Sequence, residues 1–184
     1  VCIFTFYYIY DMAPFGAGTL ATDDAELQYL DFFAYLKDVM AGKNSISYTF
    51  SDTLGGDTLA IFSYYLSSPF NLLLVFFSKA NIITFFNLIA ALKISMCALT
   101  MGIFLRFRFE NKLKPVYALM LSLSYAFMQY NLTQADNVMW LDGVYMLPLI
   151  ILGVYKAVNN KNIILLSVSA GLAIIFNWYS AGMC

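Results

Sequence analysis

The chain has 184 residues, of which 61% are hydrophobic, 18% aromatic and only 11% charged. Soluble domains carry about 25% charged residues, so this composition, with a mean hydropathy of +0.73, excludes a soluble domain and describes a polytopic membrane protein. A net charge of −1 gives no reason to expect nucleic acid as a partner. Cys2, Cys97 and Cys184 are isolated in apolar segments and there is no His, which argues against a disulfide framework and a Cys/His metal site.

The chain opens inside an apolar run, Val1 to Tyr10, and stops in another at Cys184, so it reads as a fragment. No basic n-region with a small-residue cleavage site is visible. A spanning helix needs roughly 20 mostly apolar residues. Residues 1–11 read as the tail of a first span, and further spans are predicted at 81–107, 115–130, 143–158 and 163–181, the third and fourth being short.

The outer loop, residues 12–80, carries most of the polar information. Pro14 to Gly18 is loop-like. Asp24 to Met40 predicts an amphipathic helix, with Leu27, Leu30, Phe33, Ala34, Leu36 and Met40 at helical spacing, lying at the membrane surface. In Ser51 to Thr58, Gly55-Gly56 marks a turn. Leu59 to Phe77 is apolar but broken at Ser68-Pro69, which predicts two short helices half-inserted in the outer leaflet. No internal repeat or low-complexity tract is present.

Charge sets direction. Ten of the eleven acidic residues, all but Glu110, fall in segments on one side of the spans, whereas six of the ten basic residues, Arg106, Arg108, Lys112, Lys114, Lys156 and Lys161, fall in the short loops on the other. Lys and Arg favour cytoplasmic loops, so the carboxylate-rich loops are expected to face outward.

Several residues are candidates for chemistry. Asp23-Asp24 follow the first span and place two carboxylates just outside the membrane, where one can take a proton from a hydroxyl or hold a divalent cation. The competing reading is that Asp23 or Asp24 is the N-cap of the amphipathic helix. Asp136, Trp140 and Asp142 lie in the short second outer loop, where Asp142 is either a cap or a functional carboxylate and Trp140 an interfacial belt residue. Lys93 lies about a dozen residues into the second span, at a depth of ~18 Å. An ionisable group there is costly, faces the bundle interior and needs an anion, either a substrate phosphate or a carboxylate. Asn131-Leu132-Thr133 matches the N-glycosylation pattern, a three-residue match of the kind that arises often by chance.

The outer segment resembles the bacterial YfhO-like membrane protein family, of the GT-C class of lipid-linked glycosyltransferases. The resembling residues are Asp24 followed by Gln28-Tyr29-Leu30-Asp31-Phe32-Phe33, then Tyr48-Thr49-Phe50-Ser51 with Leu54-Gly55-Gly56, and Tyr64-Tyr65-Leu66-Ser67-Ser68-Pro69-Phe70-Asn71-Leu72. Leu92-Lys93, Trp140-Leu141-Asp142 and Leu147-Pro148-Leu149 complete a pattern that runs in order over nearly all of the chain. The resemblance implies an all-α, membrane-embedded bundle of GT-C type, with this chain its N-terminal part. It implies an active site at the outer face of the bacterial cytoplasmic membrane, a polyprenyl-phosphate sugar as donor, and an envelope polymer such as a teichoic acid as acceptor.

The family's acidic residue of the first loop falls on Asp24, which is expected to be the general base. Gln28 and Tyr29, one turn on, orient the acceptor or Asp24 itself, and Lys93 and Asp142 are further candidates for substrate contact. A divalent cation on the acidic face is compatible with this arrangement, with no distinctive ligand set to hold it. The rival expectation is a transporter or flippase of an envelope lipid that uses Lys93 and Asp142; the lack of a paired repeat weighs against it.

Overall fold

The computed structural model describes residues 1–50 and 55–183. Ser51 and Leu54 of the motifs above, and Cys184, lie outside the described residues. Among the described residues the fold is all-α apart from one short hairpin, and the chain divides into two compact units, 1–91 and 92–184.

In the first unit, α1 (Cys2–Ile9) ends where Tyr10 leaves helical backbone and Asp11 takes φ 52°. The following turn closes tightly: Gly18 N–H donates to the Asp11 carbonyl at 2.8 Å and Ala13 N–H to the Gly18 carbonyl at 2.8 Å. A Cβ on Gly16 would overlap the Asp11 backbone oxygen, so glycine is required there. The expected amphipathic helix is present. It starts as a π-helical turn (Ala25–Tyr29) and continues as α2 (Leu30–Met40), burying Phe33 and Leu36. Phe33 meets Phe85 and Phe86 edge-on at 5.3 and 6.3 Å, which makes these rings the centre of the unit's core.

The strands β1 (Tyr48–Thr49) and β2 (Gly56–Asp57) pair antiparallel next to Gly55, whose φ of 97° fits the expected turn. Asp57 accepts from Leu59 N–H at 2.8 Å and so caps α3 (Thr58–Ile61). The chain continues as a π-helical turn (Phe62–Leu66), breaks at Ser67-Ser68, and resumes with Pro69 at the first position of a 3₁₀ helix (Pro69–Phe76). The two arms meet at 97°, as the Ser68-Pro69 break predicts.

Among the described residues, two helices are long and apolar enough to cross a membrane: Lys79–Arg108, of 30 residues and containing α4 (Ile82–Arg108), and Leu141–Asn159, of 19 residues, within α7 (Leu141–Asn160). The bent pair Thr58–Leu66 and Pro69–Phe76 makes a third if counted as one broken span. The expected spans at 115–130 and 163–181 are instead interrupted. After α5 (Pro115–Ala126), the Asn131 side chain, from α6 (Gln129–Thr133), donates to the Tyr125 and Ala126 carbonyls at 3.0 Å each. Those carbonyls have no partner further along their own helix, so a side-chain donor ends it cleanly. Likewise α8 (Ile164–Phe176) stops at Asn177. That residue is extended and fully buried, and its Oδ1 accepts from Ser180 N–H at 2.7 Å to cap α9 (Trp178–Ala181).

Helices α7 and α8 touch at backbone distance, since a Cβ on Gly153 would lie 2.6 Å from Leu166 Cα. Small residues permit such approach in apolar surroundings. Inside α7, Pro148 has no N–H for the Val144 carbonyl. Tyr125 Oη donates to that carbonyl at 2.8 Å and replaces the missing bond. At the basic ends of the two long helices, Arg108 stands over the Tyr155 ring at 4.6 Å and Lys156 over Phe107 at 4.7 Å. The ends of these two helices that carry Arg108 and Lys156 therefore lie side by side.

Candidate functional site

Asp24 sits at the entry to the surface helix of the first unit. Asp23 before it adopts φ 47°, a left-handed conformation that costs an L-residue about 1–2 kcal/mol but is among the least unfavourable for Asp. The turn delivers Asp24 to the first position before the helix, with φ −61° and ψ −28°. Its carboxylate makes no capping hydrogen bond and is exposed. Capping therefore does not account for Asp24, and the oxygens remain available to a ligand.

One turn on, Gln28 is exposed whereas Tyr29 is buried, so the two expected substrate contacts point into different environments. Tyr29 packs on Tyr65 at 5.3 Å between ring centroids. Tyr65 in turn packs on Phe32 at 4.9 Å and on Tyr64 at 4.4 Å, and Asp24 lies within its electrostatic reach. Tyr65 was legible as part of the Tyr64-Tyr65-Leu66 string but had no role assigned from sequence. Its position makes it the neighbour that walls the Asp24 side of the helix.

Lys93 and Asp142 meet in the second unit. The Lys93 ammonium donates to Asp142 Oδ2 at 2.7 Å and to the Val138 carbonyl at 3.0 Å, and both charged side chains are 1% exposed. Of the two anions that the depth of Lys93 allowed, the structure supplies the carboxylate. Asp142 lies in the first turn of α7, where the helix dipole also favours a negative charge. Trp140 precedes that turn and faces Tyr179 at 6.5 Å. Asp136 keeps one buried carboxylate oxygen without a hydrogen bond among the described residues. Among the described residues, no three His, Cys, Asp or Glu side chains cluster as a metal-binding set.

A residue that sequence reasoning missed holds the approach to Asp24. Asn87 of α4 is fully buried and saturates its amide: Nδ2 donates to the Ala13 and Gly18 carbonyls at 3.1 and 3.2 Å, and Oδ1 accepts from Leu20 N–H at 2.9 Å and Thr19 Oγ1 at 3.3 Å. Its own carbonyl accepts from Tyr7 Oη at 2.9 Å. An amide side chain at position 87, amid the apolar residues that open α4, was the available signal.

The profile of the bacterial membrane protein YfhO family matches residues 1–184, the full length of the chain. The chain belongs to the YfhO family. No curated protein and no solved structure matches it. Membership establishes a bacterial membrane protein, in agreement with the two long apolar helices.

Proposed function

We propose that this YfhO-family protein is a membrane glycosyltransferase of the bacterial cytoplasmic membrane, moving a sugar from a polyprenyl-phosphate donor to a hydroxyl of an extracellular envelope polymer such as a teichoic acid. The observation that carries the reading is Asp24, an exposed carboxylate at a helix entry that does no capping. Asp24 takes the proton of the acceptor hydroxyl, and the resulting oxygen nucleophile attacks the anomeric carbon. The bond to the phosphate breaks and the polyprenyl phosphate leaves with the electron pair. Gln28 orients the acceptor, and Tyr29 acts through the Tyr65 ring rather than by direct contact. A divalent cation, if used, would neutralise the leaving phosphate, with Asp23 and Asp24 the carboxylates at hand.

In the full-length protein, Asp24→Asn is expected to lower transfer from labelled polyprenyl-phosphate sugar by about 10²-fold or more, the typical effect of losing a general base. Asp23→Asn should do less, and both variants should fold. Equal, mild losses from the two would remove the catalytic assignment. A transporter that depends on the Lys93–Asp142 pair would keep its activity in Asp24→Asn.

The orientation is part of the same proposal and follows from the basic loops. A cysteine introduced at Lys112 is expected to react with a membrane-impermeant maleimide only from the cytoplasm, and one at Asn44 or Thr133 only from outside. External labelling at position 112 would invert the assignment and move Asp24 to the wrong compartment for the reaction.

A further inference from the structure

One face of the surface helix, running from Gln28 through Asp31, Phe32 and Tyr35 to Asp38, lines a cavity of about 460 Å³ in the first unit. That volume falls within the ~300–1,000 Å³ of small-molecule sites. Thr58, on another element, also lines it; this residue is 5% exposed and its hydroxyl has no hydrogen-bond partner among the described residues. Unmet buried hydroxyls are unfavourable, so a polar ligand at this wall would relieve one. Gln28, Asp31 and Asn44 line the same space and make no side-chain hydrogen bond with other described residues, whereas Asp38 is engaged by Lys79. The free groups thus include an acceptor-only carboxylate, two amides that both donate and accept, and a hydroxyl, set beside the Phe32 ring.

We infer that this cavity is a binding site for a neutral hexose-class sugar ring, positioned one turn along the helix from Asp24. Vicinal hydroxyls donate to Asp31 and accept from the amides, and the C–H face of the ring lies against Phe32. A phosphate does not fit this chemistry, because with Asp38 neutralised by Lys79 the cavity retains the uncompensated charge of Asp31. The inference deepens the transferase reading and rests on it for the identity of the ligand.

The test is a saturation-transfer NMR titration of methyl hexosides against the full-length protein in nanodiscs, with glycerol phosphate as competitor. Saturable hexoside binding is expected, weakened about tenfold or more by Asp31→Ala, the effect of losing a charged hydrogen-bond partner. Thr58→Val should weaken binding while the thermal midpoint without sugar stays the same or rises. Absence of saturable binding to the wild type, insensitivity to Asp31→Ala, or displacement by glycerol phosphate would each overturn the site. Displacement by a polyprenyl-phosphate hexose assigns the bound ring to the donor, and displacement only by glycosylated polymer fragments assigns it to the acceptor. The two readings fail separately: hexoside binding that survives Asp24→Asn keeps the cavity even if transfer proves unaffected by that change. Transfer that depends on Asp24 in a protein that binds no hexoside removes the cavity alone.

Discussion

Replacing Lys93 by methionine is expected to lower the unfolding free energy by about 3–5 kcal/mol, the usual consequence of breaking a buried ion pair and leaving one charge behind. Asp142, 1% exposed, would keep a carboxylate with its ammonium partner gone, and methionine returns none of the lost bonds while keeping the apolar bulk of the stem. Asp142→Leu should destabilise comparably for the converse reason. The double variant Lys93→Met with Asp142→Leu should recover most of the loss, because two well-packed apolar side chains replace the pair without desolvating any charge. Thermal shifts of the four proteins in detergent, with and without polyprenyl-phosphate sugar, measure the cycle. Destabilisation of the single variants that is independent of donor fits a carboxylate partner. A Lys93→Met protein as stable as the wild type without donor, but no longer stabilised by it, would instead assign the ammonium to the donor phosphate.

That pair also marks how far the sequence could be read. Depth alone showed that Lys93 needed an anion, because a cation about a dozen residues into an apolar helix has no inexpensive alternative. Which anion depended on the register of two helices whose paired residues lie 49 positions apart in the chain, and no local pattern encodes that. The surface helix, the Ser68-Pro69 bend and the two long helices were legible because each rests on a local rule: helical spacing of apolar residues, the missing N–H of proline, and sustained hydropathy. The spans predicted at 115–130 and 163–181 were not recovered. Their apolar runs pass through Phe127 and Asn177, where Asn131 and Asn177 satisfy helix-terminal groups and stop the helices early. Hydropathy averages over such residues and so does not register a hydrogen bond that ends an element. At the candidate site, Asp24 was legible as a carboxylate at a helix entry, but not that it would be left uncapped; that depends on the backbone at Asp23.

Asn87 holds the backbone from Ala13 to Leu20 that leads to Asp23, and Asn87→Leu is expected to destabilise the first unit. Leucine is close in size, so the packing of α4 is largely kept, but the Ala13 carbonyl and the Leu20 N–H lose their side-chain partner. The Gly18 carbonyl retains its bond from Ala13 N–H. Two buried or half-buried backbone groups without partners cost about 1–3 kcal/mol each, so a loss of about 2–6 kcal/mol is expected. Tyr7→Phe removes only the hydroxyl bond to the Asn87 carbonyl and should cost about 1 kcal/mol. Because the clamped segment runs from Ala13 to Leu20 and leads within four residues to Asp24, its release should also loosen the turn at Asp23. Hydrogen exchange should therefore accelerate at Leu20 and the amides that follow it in Asn87→Leu and remain near wild type in Tyr7→Phe, with transfer falling in the first variant and not in the second. Unchanged exchange at Leu20 in Asn87→Leu would show that the loop is held by its own turn, through the Asp11 and Gly18 backbone bonds, and that α4 does not position the carboxylate.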